Sequence, residues 1–199
     1  MSTSTVIHSE KHLLSVIGSK RFLTMEGLSN EIPFFIYPYE PSDALEVNAA
    51  RKRLVNNLAL QGIKILEIDL FELSIEILKD RDVLERLLEI EREQDKLDFL
   101  ALLQGMLDPE RHIAPAVAAK LVGSDHDVIF LTGVGEVFPY VRSHNVLSNL
   151  QSVCKDKPML TFFPGTYEQS ESLGSSLALF GFLKNDQYYR AKNILEQEA

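Results

Sequence analysis

The sequence predicts a three-layer α/β fold, with a mostly parallel sheet of about five strands, helices on both faces, and a helical insertion between the second and third strands. Three observations carry this. Residues 127–165, DVIFLTGVGEVFPYVRSHNVLSNLQSVCKDKPMLTFFPG, read as strand, Gly-Val-Gly turn, helix and strand. Short strands that are apolar at almost every position and joined by a helix are parallel and covered on both faces, and such sheets bind ligands at their carboxyl-end loops. Two further strand patterns lie upstream, at 33–39 and 63–70, with a helix-length segment between them. Residues 72–122 carry only helical periodicity and therefore form the insertion.

In chain order, Leu13, Leu14, Val16 and Ile17 among polar neighbours mark an amphipathic helix within residues 1–26, and residues 27–31 break the pattern. PFFIYPY at 33–39 forms the first strand, which Pro38 ends near Tyr37. Pro41-Ser42-Asp43 supplies a turn and an N-cap for a helix over 44–61, with Leu45, Leu54, Val55 and Leu58 inward and Gly62 as its stop. The second strand, IKILEIDL at 63–70, alternates apolar and charged residues, which places it near an edge or a polar surface. In the insertion, Asp80-Arg81-Asp82 interrupts the helices, Asp82-Val83-Leu84-Glu85 has capping-box spacing, and EIEREQDKLD gives a solvated face. Two or three helices end at Asp108-Pro109, and one more over 113–121 leads to the third strand. After the fourth strand, 166–174 reads as a polar loop, 177–182 as a fifth strand, and 187–198 as a closing helix opened by Asn185-Asp186. No repeat or low-complexity linker divides residues 1–199, so one domain is expected.

Charge and composition narrow the function. A net charge of −9 and a pI near 5.1 are the reverse of the basic surface that grips phosphates, so no direct nucleic-acid contact is expected. The single Cys154 leaves no intrachain disulfide to form. No apolar run has signal-peptide or membrane-spanning length, so a cytoplasmic chain away from membranes is expected.

The chemistry-bearing motifs are incomplete. Gly133-Val134-Gly135 after a strand suggests backbone approach to a pyrophosphate, but Phe138 stands where the third glycine belongs and no acid ends the next strand. The plainer reading is a tight turn with positive φ. No G-x-x-x-x-G-K-[ST] loop occurs, so Asp69 at the end of the second strand reads as a cap and not as a metal-holding aspartate. Arg142-Ser143-His144 at a helix start joins a guanidinium, an imidazole and a helix N-terminus, a setting that attracts anions; alternatively Ser143 caps the helix and Arg142 pairs with an acid such as Glu136. His144 and Cys154 lie ten residues apart, about 15 Å along a helix, too far to share a proton. Ser152-Val153-Cys154-Lys155 matches S-x-x-K without its companion motifs. His8 and His12 have i, i+4 spacing in a segment expected to be mobile, and neither they nor the isolated His112 and His126 complete a metal site. No catalytic residue, metal or cofactor is therefore assigned. Aromatics gather late in the chain, and Tyr188, Tyr189 and Arg190 at the start of the expected last helix are residue types that anchor interfaces.

Five blocks in order, GLSNEIPFFIYPY, ILEIDLFEL, FLTGVGEVFPYVRSHNVLSNLQ, PMLTFFPGTY and LALFGFLKNDQYYRAKNI, resemble the BrxB family of bacterial BREX (bacteriophage exclusion) systems. The resemblance implies a small cytoplasmic protein that works beside a PglZ-type phosphatase-like protein, a DNA methyltransferase and a large ATPase in phage restriction and host DNA modification. It brings no catalytic residues. It places Gly133, Gly135, Arg142, Ser143, His144, Asn149, the Pro164-Gly165 turn, Tyr188, Tyr189 and Arg190 within the family's signature blocks. The expectation is a non-enzymatic adaptor that binds another BREX protein, foremost the PglZ-type protein. The alternative is a degenerate nucleotide- or phosphate-binding domain acting as a regulatory or hydrolytic subunit.

Overall fold

Leu13, Val16 and Ile17 recur on one helical face and are almost wholly buried, which seats the first helix, α1 (Thr3–Gly18), firmly on the body of the protein. That corrects the expectation of a mobile segment, as does a hydrogen bond from His12 Nε2 to the Ile194 carbonyl. The computed structural model describes residues 3–26, 33–170, 174–184 and 191–199. Tyr188, Tyr189 and Arg190, the end of the helical pattern at 27–31, and the Asn185-Asp186 helix start lie outside the described residues.

The one-turn α2 (Lys20–Leu23), capped by Ser19 Oγ, leads towards β1 (Phe34–Tyr39). This strand continues through Pro38 to Tyr39, because its neighbour on one side reaches only Phe35 and Ile36 and leaves an open edge beyond them. A 3-10 turn at Pro41–Asp43 leads into α3 (Ala44–Leu60), whose buried face is Val47, Ala50, Leu54 and Leu58. Leu45, expected inward, is 87% exposed, since it lies off the stripe those four residues set. β2 (Ile65–Asp69) passes directly into α4 (Leu70–Asp80). The insertion continues with α5 (Leu84–Ile90), α6 (Lys96–Met106), a π turn at Pro109–Ile113 and α7 (Ala114–Val122). The capping box expected at Asp82 does not form: Val83 takes the N-cap position of α5, and Asp82 has φ +56°. Then come β3 (Val128–Thr132), α8 (Ser143–Val153), β4 (Met159–Ser170), β5 (Gly174–Leu179), β6 (Leu183–Lys184) and β7 (Lys192–Asn193).

The five strands β2-β3-β4-β1-β7 lie side by side in that order and all parallel, with β2 at an edge as its alternating sequence predicted. Phe35, Tyr37, Phe130 and Phe162 point to the face covered by α1 and α3, whereas Phe34, Ile36, Leu131 and Phe163 point to the face covered by α4 to α8. The chain leaves β1 towards the first face and leaves β2 and β3 towards the second. A crevice therefore opens outside the carboxyl ends of β1, β4 and β3.

The region after β4 departs from the sequence reading. Pro164-Gly165 is not a turn but the middle of a twelve-residue strand, whose first half pairs with β1 and β3 and whose second half pairs antiparallel with β5. A Cβ on Gly165 would stand 2.1 Å from the Ala178 carbonyl oxygen, so only glycine lets the strand run past its hairpin partner. The expected polar loop at 166–174 is thus largely hairpin. The expected strand at 177–182 is antiparallel and ends at Leu179, where Phe180 and Gly181, both with positive φ, make the turn into β6. The closing helix expected over 187–198 is replaced at 192–196 by β7 and a 3-10 turn, because Ile194 is buried beneath α1 and Asn193 caps the turn through its side-chain oxygen.

Candidate docking site at the carboxyl edge of the sheet

Gly133 follows β3 with φ +75°, and its missing side chain lets the backbone press against the start of α4. A Cβ there would lie 2.8 Å from Asp69 Oδ1 and 3.0 Å from the amide nitrogens of Leu70 and Phe71. Asp69 is the cap expected from the sequence. Its Oδ1 accepts from the N–H groups of Phe71 and Glu72 at 2.9 and 3.1 Å, and its Oδ2 accepts from the Thr132 hydroxyl at 2.8 Å. Gly135 faces the other way, with Pro164 Cγ and Phe180 Cε1 at 2.9 and 3.0 Å from where its Cβ would be. The Gly-Val-Gly loop is therefore wedged between α4 and the β4–β5 hairpin, and both glycines spend their space on the protein itself.

Arg142 is the N-cap of α8 but makes no side-chain cap bond, and Ser143 is the first helical residue and not the cap. Among the described residues Arg142 has no ion-pair partner, Glu136 included. Partial burial and then the neighbouring Arg142 charge push the His144 imidazole below its ordinary pKa. Asn149 bonds back to the Asn145 carbonyl within the helix, and burial pushes the Cys154 thiol up to about 12, which removes it as a nucleophile.

Nothing in the sequence marks the polar cluster on the α3 side of the sheet's carboxyl edge. Arg51 of α3 reaches down to pair with Glu67 of β2, and Tyr39 and Asp69 also lie within its electrostatic reach. Burial, with Glu136 and Tyr37 adding to it, holds the Tyr39 phenol up to about 12. Arg51, Lys52 and Arg53 look alike in sequence, and only the packing of α3 turns the first inward while Arg53 pairs with Glu10 on α1. Glu136 lies in the loop after β3, next to Gly135, where partial burial and then the charges of Asp69 and Glu72 raise its carboxyl above the usual range.

On the opposite face an apolar groove of about 160 Å³ runs between α4, α5 and α6 and is closed by the 137–140 turn. Phe71, Leu88, Phe99, Leu103, Val137 and Tyr140 line it. Phe71 is 41% and Leu88 58% exposed, although their helices bury Leu70, Leu73, Ile77, Leu78 and Leu87 in the core. Beyond Tyr140 the apolar surface continues through Phe138, edge-on to Phe180, to the 71% exposed Phe182. Phe162 and Phe163 are core, and Tyr167 donates its hydroxyl to the Ala191 carbonyl.

These features define a class: a three-layer α/β protein with a helical insertion, whose carboxyl edge pairs a polar cluster around Arg51 and Asp69 with an open apolar groove. Residues 66–194 match the family described as BREX protein BrxB. The chain is 34% identical over 192 residues to the BREX protein BrxB of Bacillus cereus (strain H3081.97), covering 93% of this chain and 95% of the relative. It is 33% identical over 181 residues to the BREX protein BrxB of Escherichia coli O9:H4 (strain HS), covering 91% of this chain and 87% of the relative. The chain belongs to the BrxB family. No solved structure matches it. No helix among the described residues is long and apolar enough to cross a membrane.

Proposed function

We propose that the chain is an assembly subunit of a BREX phage-defence system, one that docks onto another BREX protein and carries no reaction of its own. The PglZ-type protein is the foremost partner. The observation behind this reading is the open groove of the insertion, where Phe71, Leu88 and Tyr140 stand exposed around an apolar floor. Large apolar and aromatic side chains left in contiguous exposed patches are the usual mark of a binding surface. The competing reading, a degenerate nucleotide- or phosphate-binding regulatory or hydrolytic subunit, retains Arg142 and His144 at the head of α8. It loses its glycine loop, because Asp69 and the α4 amides fill the space beside Gly133. The test is co-expression of the tagged chain with each other BREX protein in turn. Stoichiometric recovery of at least one supports docking, whereas recovery of none overturns it. Turnover of nucleotide by the purified chain alone would overturn the non-catalytic half of the reading.

A further inference from the structure

The groove also says what kind of segment fills it. Its walls are helices, with no free strand edge along them, so it presents ridges and hollows that match another helix. At about 160 Å³ it has room for one large aliphatic or aromatic side chain, since an apolar cavity of about 150 Å³ takes up a benzene ring.

Its surroundings are acidic and only partly neutralised. Residues 70–107 hold ten acidic against five basic residues, an excess of five negative charges in a chain of net −9. Some of this charge is met internally: Glu76 pairs with Lys120 of α7, and Glu89 with Arg86. Glu91 lines the groove, while Glu72 and Glu136 adjoin its lining residues Phe71 and Val137. Among the described residues none of these three has an ion-pair partner. Glu136 lies within electrostatic reach of Glu72 and Asp69 with like sign; Arg51 already stands near Asp69, which leaves Glu72 and Glu136 as the pair that a partner's cation would relieve.

We propose that the groove receives a basic amphipathic helix of a partner protein, which buries one large apolar side chain between α4, α5 and α6 and sets lysine or arginine against Glu72, Glu136 and Glu91. This rests on the docking reading above and specifies the occupant. Apolar anchors in a desolvated hollow supply the affinity, and the acidic rim supplies steering and orientation.

The experiment places a photo-crosslinking amino acid at Leu88 and, as a control, at Leu45, which is also exposed but belongs to α3 on the other face. Each variant is co-expressed with the remaining BREX proteins, and the crosslinked peptide is read by mass spectrometry. The expected peptide from Leu88 has apolar residues at i, i+3 or i+4 and i+7 and a net positive charge, and Leu45 does not yield it. The double variant Glu72→Lys, Glu136→Lys, checked for unchanged melting, should lose at least tenfold of partner recovery, and the same loss should appear for wild type on raising salt. An acidic or neutral peptide, a peptide from a second copy of this chain, or equal crosslinking from Leu45 overturns the proposal. So does full partner recovery by the charge-reversed variant. Partner recovery without any Leu88 crosslink defeats the groove while sparing the docking reading, and recovery of no partner defeats both.

Discussion

Gly133→Ala is the sharpest test of how the carboxyl edge is built. Two costs add at this site. An alanine in the left-handed region costs about 1–2 kcal/mol. The new Cβ would also stand 2.8 Å from Asp69 Oδ1 and 3.0 Å from two α4 amides, so either the loop or the Asp69 cap must move. Losing a side-chain cap costs about 1 kcal/mol. The total of about 2–3 kcal/mol corresponds to a fall of about 5–10 °C in Tm for a chain of this size. Gly62 supplies the control, because its φ is +81° and a Cβ there meets nothing within 4 Å. Gly62→Ala should therefore show the backbone cost alone, about 1–2 kcal/mol and about 2–8 °C. Circular dichroism melts of both variants, and of Gly133→Ala in an Asp69→Ala background, separate the two costs. The extra loss at Gly133 should shrink when Asp69 is already absent. Equal falls for Gly62→Ala and Gly133→Ala would refute the close-approach argument, and an unchanged melt with lost phage defence would make the loop functional.

Glu136→Gln should raise Tm at pH 7. The folded carboxyl is held above its ordinary value of 4.5, so the folded state binds more protons than the unfolded one just above that pH, and stability falls as pH rises through the folded value. The gain from the glutamine variant should disappear below about pH 4.5, where the glutamate is protonated in both states; a gain that persists there would deny that charge is the cause. Millimolar ATP with magnesium should leave the melt unmoved, whereas binding at about a hundred times its dissociation constant would add about 2.7 kcal/mol and shift the melt by several degrees. Tyr188→Ala, Tyr189→Ala and Arg190→Ala test the C-terminal surface. If that surface carries the interface, at least one variant should weaken partner binding by about thirtyfold, about 2 kcal/mol, with its melt unchanged, and retention of every partner removes that surface from contention.

What the sequence made legible was whatever a short window encodes. VIFL and the alternation of IKILEIDL announced a central and an edge strand because side-chain pattern and solvent exposure are the same fact in a sheet. Asp69 read correctly as a cap because the donors it serves are the next residues along. The hairpin was hidden because Pro164-Gly165 carries a local stop signal, and only the distant Ala178 carbonyl explains why glycine there extends a strand. The closing helix failed for a similar reason: Ile194 is claimed by α1 and β7 by β1, contacts separated by over 150 residues. The groove could not be read either. Leu87 and Leu88 are equivalent letters, and the packing of α5 on α4 decides that one is 3% exposed and the other 58%.

The order of the sheet has a consequence for biosynthesis. Phe34 of β1 pairs with Met159, and Phe35 with Lys192, so β1 is synthesised long before either of its partners. Bridging so long a stretch must be offset in entropy before any ladder bond rewards it, which makes such pairings slow. Until then FFIYPY, with four aromatic rings in six residues, is a bare strand able to pair with any neighbouring nascent chain. β2 and β3, separated mainly by the insertion, can zip together earlier and wait with β3's second edge open. Arrival of β4 then supplies the bridge that captures β1, and β7 covers only the start of the remaining edge. Overproduced protein should accordingly be lost to aggregation during synthesis more than through instability of the finished fold.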